Sequence, residues 1–373
     1  MVDFDLTRGP LHTLPERVVD HARALAGGGL AGVYLADVEG VCLLRLAGDS
    51  ALPERLEAAG AVGPEFDAEG VAVLCTELAG RWPGGSIEPL WVMGRALGVL
   101  VTSERGGDAL AELARFVAPA FELASGFTDV FERGRRRKQP SAAAEMQLEL
   151  LPPRIARVAG GQLVASVLPA YDVGGDWFDH AENPEGVWLA IGDAMGKGIR
   201  AAAMSAVSLG AFRSARREGA DARRCAREMH RAIFDFGTEG FVTAIVAFWD
   251  PSTSALTWTN CGHLSPLLAR RGAVRELTGE TTYPLGIIDR ERTFPSSTVG
   301  LESGDRLLIY SDGIVESRLE DGTQFGQERL EQLLVASAHR PPSVAVAAVE
   351  RAVLDATAGQ IGDDATQLLL AID

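Results

Sequence analysis

The chain has 373 residues, of which 47% are hydrophobic and 23% are charged, so it is long enough for two globular domains. Its 35 Lys and Arg against 51 Asp and Glu give a net charge of -16, which disfavours binding to nucleic acid or to an acidic membrane surface. The first residues lack the basic and apolar parts of a signal peptide, and the longest apolar run, residues 201–212, is too short to span a bilayer, so we expect a cytoplasmic protein.

The first region, residues 1–130, opens with an amphipathic helical pattern in LPERVVDHARALA. Short apolar runs follow and predict strands: GVYLADV, GVCLLRL, GVAVLCTEL (70–78) and LWVMGRALGVLVTS. Helical spacing returns over 109–137, where Pro119 and Gly126 are expected to bend or break the helix. This order and size are similar to a GAF-type sensory domain, and a purely structural or dimerising domain fits them equally well.

A seam lies in RKQPSAAAEMQLELLPPR, where a basic run meets Gln-Pro-Ser and a second helical stretch stops at two prolines. We therefore predict a helical linker over 131–154. The basic run itself, at 133–138, is interpreted as a solvated helix end favoured by the helix dipole, with a binding patch as the alternative.

Beyond the linker, strand-like runs alternate with helical stretches. The helices are predicted at 199–217, 221–235, 326–338 and 342–357. Strand pairs such as 241–249 and 254–260 are too close for a crossover helix, so the sheets should be largely antiparallel. The predicted fold class is α/β (α+β): a C-terminal α-β-β-α sandwich over 155–373, preceded by a smaller α/β domain.

Four aspartates share one arrangement, because each lies where an apolar strand ends and small residues begin: Asp176 in VGGDWFD, Asp193 in LAIGDAMGKG, Asp312 in LLIYSDG and Asp363 in IGDDATQLLLAI. Carboxylates that converge at sheet edges repel one another unless cations neutralise them. An all-oxygen donor set favours hard divalent ions such as magnesium or manganese. Ordinary turn chemistry is the alternative for any single motif, since Asp beside Gly is common in loops.

Residues 155–373 resemble the metal-dependent serine/threonine protein phosphatases of the PPM/PP2C superfamily, in the SpoIIE-like branch with RsbU-type regulators. The segments that carry the resemblance are, in order, LELLPPR, VGGDWFD, GDAMGKGIRAAAMS, NCGHLSPLL, YPLGI, GDRLLIYSDGIVES and GDDAT. The resemblance implies two Mn²⁺ or Mg²⁺ ions as cofactors and hydrolysis of phosphoserine or phosphothreonine.

The resemblance also implies a role for each matching position. Asp193 corresponds to the carboxylate that bridges both ions, and Ala194 to a ligand that acts through its backbone carbonyl. Asp312 and Asp363 correspond to further ligands of the first ion, and Asp176 to the acidic residue that holds the second ion directly or through water. The neighbouring Asp364 could exchange roles with Asp363.

Three neighbouring features complete the expected site. The alanine-rich run after Gly198 should begin a helix whose N-terminus favours an anion. Lys197 is either a positive charge near incoming phosphate or a solvated lysine. His263 is interpreted as a structural histidine hydrogen-bonded in a turn rather than a proton donor.

The resemblance implies a regulatory phosphatase whose substrate is a phosphorylated anti-anti-sigma (STAS-type) protein. We expect a homodimer whose N-terminal domain receives a small-molecule or protein signal. One alternative is a docking module that keeps the fold without catalysis, which the intact aspartates disfavour. Another is a hydrolase of small phosphoesters, which would need a closed pocket around its metals instead of an open, shallow site.

Overall fold

The computed structural model describes residues 4–6, 9–169, 171, 174–237 and 239–373. Val173, the first residue of the VGGDWFD motif, lies outside the described residues. The chain forms two compact units, one of residues 1–138 with 154–156, the other of residues 139–153 with 157–373. Within the described part of the chain, no helix is both long enough and apolar enough to cross a membrane.

The first unit contains one five-stranded sheet and four α-helices. After a 3-10 turn at Leu11–Thr13, its helices are α1 (Leu14–Leu25), α2 (Ala68–Arg81), α3 (Gly107–Ser125) and α4 (Val130–Gly134). Its strands are β1 (Ala31–Ala36), β2 (Cys42–Gly48), β3 (Arg55–Glu57), β4 (Ser86–Val92) and β5 (Arg95–Thr102). They lie in the order β3-β2-β1-β5-β4, with every neighbouring pair antiparallel.

Both faces of this sheet are covered, because side chains of β1 alternate between two cores. Val33 and Leu35 pack with α1 and α3, whereas Tyr34 and Ala36 pack with α2 on the opposite face. A sheet buried on both sides explains why every residue of β1 is buried.

The strand predicted at 70–78 is wrong, since this segment lies in α2. Asp67 caps the helix by accepting a hydrogen bond from the backbone N–H of Gly70 at 2.9 Å. The buried residues Val71, Leu74 and Leu78 recur at helical spacing, which places one stripe against the sheet.

The bend or break predicted at Pro119 does not end the helix. Pro119 lies within α3, and the helix stops at Gly126, the second predicted position. The turns on either side of Pro119 bury Val117, Ala118 and Phe121. Burial of these side chains offsets the cost of about 3 kcal/mol that an internal proline imposes on a helix.

The second unit contains two six-stranded sheets with helices on their outer faces. Its helices are α5 (Ala142–Leu150), α6 (Ile199–Arg217), α7 (Ala222–Phe236), α8 (Asp312–Val315), α9 (Gln327–Ala336) and α10 (Pro342–Ala356). Its strands are β6 (Ile155–Val158), β7 (Gly161–Leu168), β8 (Asp176–Asn183), β9 (Gly186–Ala194), β10 (Val242–Asp250), β11 (Ala255–Cys261), β12 (Leu267–Arg270), β13 (Ala273–Glu276), β14 (Thr281–Thr282), β15 (Ser297–Gly300), β16 (Arg306–Tyr310) and β17 (Ala365–Ile372).

The first sheet has the order β14-β11-β10-β9-β8, with β15 paired to β11, and the second has the order β13-β12-β16-β17-β7-β6. The pairing is antiparallel apart from the short β11–β14 contact and an isolated parallel bridge between Ala244 and Gly262, which confirms the predicted, largely antiparallel sandwich. Helices α6 and α7 bury Phe212, Cys225 and Met229 against the first sheet, while α9 and α10 cover the second. Mixed helices and antiparallel sheets confirm the predicted fold class.

Candidate active site

Asp176 and Asp193 lie directly opposite each other in the β8–β9 hairpin. Asp176 begins β8, Asp193 is the penultimate residue of β9, and the two are register partners. The side chain of Asp176 is buried and that of Asp193 is half-buried. The antiparallel register therefore brings together two aspartates that are 17 positions apart in the chain.

Asp312 and Asp363 lie at strand ends of the second sheet. Asp312 is the first residue of α8, just after β16, and Asp363 lies just before β17. Since β16 and β17 are antiparallel neighbours, the end of one strand lies beside the beginning of the other. Both side chains are exposed, whereas Asp364 is buried.

The pKa shifts show that these aspartates, Asp364 included, share one electrostatic environment. Burial raises the pKa of Asp176, and the charges of Asp193 and Asp364 raise it further. Burial together with the charges of Asp312 and Asp363 raises the pKa of Asp193 to about 7. Burial, and then Asp363, raises the pKa of Asp364 to about 6. The carboxylates of the two sheets therefore repel one another at a single site.

Asp364 is held rigidly by three donors. Its Oδ2 accepts hydrogen bonds from the backbone N–H groups of Gly175 at 2.8 Å and Asp176 at 3.0 Å, and from Nε2 of Gln147 at 3.2 Å. The same Nε2 of Gln147 donates to the carbonyl oxygen of Asp176 at 2.7 Å. Sequence reasoning missed Gln147, although a polar residue on the stripe of α5 shared with the buried Ala143 and Ala144 was a signal that could have found it.

Two carboxylate oxygens in this cluster are buried without a hydrogen-bond partner: Oδ2 of Asp176 and Oδ1 of Asp364. A buried polar atom without a partner costs roughly 1–3 kcal/mol, and more when it is charged. Within the described ranges, no three acidic, His or Cys side chains already surround a common point as ligands of an ion. The oxygen-only donors, their mutual repulsion and the two unpartnered atoms nevertheless fit hard divalent cations.

Gly175, which directly precedes β8, has little room for a side chain. A β-carbon on Gly175 would lie 2.9 Å from the carbonyl oxygen of Ala194, so the backbone that precedes β8 approaches this potential carbonyl ligand closely. Gly198 has a φ of 74° and precedes the first turn of α6, which confirms the predicted helix start.

Lys197 is exposed and faces the acidic cluster. Its Nζ lies 3.7 Å from Oδ2 of Asp363 and donates a hydrogen bond to the carbonyl oxygen of Gly362. This position allows either predicted role, because a loosely held lysine at the edge of the cluster remains available to a phosphate.

His263 has the structural role predicted for it. Its Nδ1 pairs with the hydroxyl of Thr243 at 2.8 Å, and its Nε2 lies 3.0 Å from the carbonyl oxygen of Tyr310. Burial lowers its pKa to about 4. A neutral histidine with both ring nitrogens engaged holds β10 and β16 together.

Comparison with known proteins adds family evidence to this geometry. A family model described as Stage II sporulation protein E (SpoIIE) matches residues 183–373. Phosphoserine phosphatase RsbU of Bacillus subtilis is 25% identical over 187 residues, covering 48% of this chain and 54% of that protein. Protein IcfG of Synechocystis is 24% identical over 237 residues, covering 55% of this chain and 37% of that protein. The chain thus spans about half or less of the length of these curated relatives.

Two solved structures share the fold. The SiaA-PP2C domain of Pseudomonas aeruginosa aligns with a TM-score of 0.54 at 19% identity, covering 69% of this chain and all of that one. The RsbU and RsbW domains of a Mycobacterium tuberculosis protein align with a TM-score of 0.52 at 23% identity, covering 59% of this chain and 62% of that one. The family model covers just over half of the chain and ends with the strand that follows Asp363 and Asp364. The chain therefore belongs to the Stage II sporulation protein E (SpoIIE) family.

Proposed function

We propose that this protein is a metal-dependent phosphoprotein phosphatase that hydrolyses phosphoserine or phosphothreonine. The observation that carries the proposal is the aspartate cluster, in which two buried carboxylate oxygens have no hydrogen-bond partner. Membership of a family with a relative named phosphoserine phosphatase RsbU supports the same reaction.

In this proposal Asp176, Asp193, Asp312, Asp363 and the carbonyl of Ala194 hold two Mn²⁺ or Mg²⁺ ions. Bound divalent ions activate water as a nucleophile and stabilise charge on a phosphoryl group. Asp364 fixes the Gly175–Asp176 backbone and offers its unpartnered Oδ1 as an additional or exchanging ligand.

The chain's other groups would act on the phosphate and not on the ions. The N-terminus of α6 carries partial positive charge, which favours an anion beside the glycine loop between β9 and α6. Lys197 can shift from Asp363 to an incoming phosphate dianion, because both its side chain and that of Asp363 are more than half exposed. These two features would orient the phosphate at the carboxylate cluster.

An open face around the cluster favours a protein as the substrate. Asp312 and Asp363 are exposed, and so are the apolar side chains of Met195, Tyr283 and Ile288. The segment that carries Tyr283 and Ile288 lies beside β10, because Leu285 exchanges two backbone hydrogen bonds with Val242, the partner of Ala194. A small-molecule hydrolase would enclose such a site.

We further propose a phosphorylated anti-anti-sigma (STAS-type) protein as the substrate. Its support is the similarity to phosphoserine phosphatase RsbU and to a structure that contains RsbU and RsbW domains. Residues 1–130 would form a GAF-like sensory domain, supported by an antiparallel sheet with helices on both faces. In the proposed domain division, a helical linker over 131–154 follows, and residues 155–373 form the phosphatase domain. We also propose that the protein is a homodimer.

Metal dependence tests the activity directly. We expect the purified chain to hydrolyse p-nitrophenyl phosphate with Mn²⁺ or Mg²⁺. In EDTA the rate should be at least about 100-fold lower, because the unneutralised aspartates repel the phosphate dianion. The rate should return when the metal is restored. Turnover that EDTA leaves unchanged would contradict the proposal. If neither the full chain nor a chain beginning near residue 140 hydrolysed the substrate, the proposal would also fail, and the docking module would be favoured.

The exposed apolar side chains of Met195, Tyr283 and Ile288 predict that a substitution among them lowers activity toward a peptide substrate selectively. Ile288 is 62% exposed and has a φ of 77°, a strained conformation for a β-branched residue, so Ile288→Ser should not destabilise the fold. The variant and the parent are compared by kcat/KM for two substrates: a phosphoserine peptide with flanking Leu and Phe, and p-nitrophenyl phosphate. We expect kcat/KM for the peptide, divided by kcat/KM for p-nitrophenyl phosphate, to fall about tenfold, since one apolar contact is lost.

Met93 provides the matched control for Ile288. It lies in the first unit, is 91% exposed and also has a positive φ. Met93→Ser should leave the ratio unchanged. An equal ratio in Ile288→Ser and the parent would show that this face does not contact the peptide.

A further inference from the structure

The prediction of a solvated helix end holds for only part of the basic run, because Arg133 and Lys138 are exposed whereas two other arginines of the run pack onto the first unit. The side chains of Arg136 and Arg137 are only 19% and 25% exposed. Arg137 pairs with Asp37 through Nε at 2.6 Å and also with Glu39, while Arg136 lies 3.8 Å from Glu132. Arg136 and Arg137 therefore pack onto the first unit and contribute to a defined surface there.

A cavity of about 340 Å³ lies between this run and the strands β2 and β3. Its lining contains four arginines and a single acidic residue: Leu44, Arg45, Glu54, Arg55, Gly134, Arg136 and Arg137. Four guanidinium groups around one cavity are unexpected in a chain whose net charge is -16. Their mutual repulsion requires compensation by carboxylates or by a bound anion.

Two of the four arginines lack a carboxylate partner. Arg45 donates through Nη1 to the carbonyl oxygens of Asp49, at 2.6 Å, and Leu52. Arg55 donates through Nη2 to the thiol of Cys42 at 3.5 Å. Among the described residues, neither arginine forms an ion pair, and neutral carbonyl groups hold the guanidinium of Arg45 in place beside the cavity.

We propose that this cavity binds a small phosphate-bearing anion. Guanidinium groups form paired hydrogen bonds that match phosphate oxygens, and arginines hold their charge at all physiological pH values. The volume lies at the lower end of the range for small-ligand sites, which suits one or two phosphate groups with a small attached moiety.

The site has a regulatory consequence. Arg45 and Arg55 belong to β2 and β3, whereas Arg136 and Arg137 follow α4, just before the chain leaves the first unit at Lys138. A bound anion would hold the exit segment against these strands. The ligand would thereby add contacts between these strands and the segment that continues into the second unit.

Calorimetric titration of the full chain tests the site. Inorganic phosphate and pyrophosphate would be titrated in EDTA at constant ionic strength, so that bound metal at the aspartate cluster does not contribute. We expect saturable binding, tighter for pyrophosphate. Arg55→Gln, a change at an exposed side chain, should weaken pyrophosphate binding at least tenfold. Arg55→Lys should weaken it less, because lysine keeps the positive charge but loses the paired N–H donors of the guanidinium group.

Arg105 supplies the matched control, since it is exposed in the same unit and does not line the cavity. Arg105→Gln should bind pyrophosphate within about twofold of the parent. Three results would overturn the proposal: no saturable binding of either probe, equal weakening by Arg105→Gln, or undiminished binding by Arg55→Gln in a chain with unchanged circular dichroism. The assay does not measure phosphatase activity, so it remains valid if the proposed function fails.

Discussion

Asp193→Ala is expected to lower metal-dependent hydrolysis of p-nitrophenyl phosphate by at least about 1,000-fold, which corresponds to about 4 kcal/mol of transition-state stabilisation. Asp193 lies opposite Asp176 in the first sheet, and Asp312 and Asp363 of the second sheet both raise its pKa. It is therefore the carboxylate through which the two halves of the cluster meet. Its loss should weaken the binding of every ion that the cluster can hold.

The measurement is kcat/KM with saturating Mn²⁺, together with thermal unfolding in EDTA. In EDTA the variant should be at least as stable as the parent, because the substitution removes a partly buried charge that its neighbours repel. Asp355→Ala, which removes an exposed aspartate from α10, is the control and should keep full activity. Activity within tenfold of the parent would exclude Asp193 from the catalytic set.

Asp179→Ala is expected to give the largest loss of stability, about 3–5 kcal/mol, because it breaks a buried ion pair from one side only. Asp179 is 2% exposed and accepts hydrogen bonds from Nη2 of Arg213 at 2.8 Å and Nη1 of Arg216 at 2.9 Å. The side chain of Arg216 is itself 8% exposed, so its charge would remain buried without a partner.

This ion pair also connects three elements. Arg213 and Arg216 lie on α6 and Asp179 on β8, and the Nη2 of Arg213 donates to the carbonyl oxygen of Leu150 at the end of α5. Loss of Asp179 should therefore loosen the packing of α5 and α6 together. Urea denaturation would show it as a lower midpoint for the second unit with an unchanged slope.

The exposed pair between Arg224 and Glu218 provides the matched control, since its side chains are 45% and 60% exposed. Glu218→Ala should cost less than about 1 kcal/mol. If Asp179→Ala cost no more than Glu218→Ala, the ion pair on α6 would not stabilise the second unit.

Local pattern was sufficient for much of the second unit. The helix predicted at 199–217 is α6, Ile199–Arg217, and the strand predicted at 241–249 is β10, Val242–Asp250. In both segments the apolar residues follow a clear pattern along the chain, because one or two faces of the element are buried. The run at 70–78 has no such decisive period, because a short apolar run fits a buried strand and a buried helix equally well.

The sequence by itself determined which chemical groups are available: aspartates at strand ends, glycines beside them, and the ordered motifs of a phosphatase family. Only the tertiary structure decided which carboxylate is exposed and which is buried, so that Asp363 lies open while Asp364 is fixed by Gln147, 217 positions away. It likewise decided that Arg137 of the basic run pairs with the buried Asp37. The physical reason is that periodicity records local burial, whereas burial of a single polar group depends on partners that only long-range strand pairing and helix packing bring together.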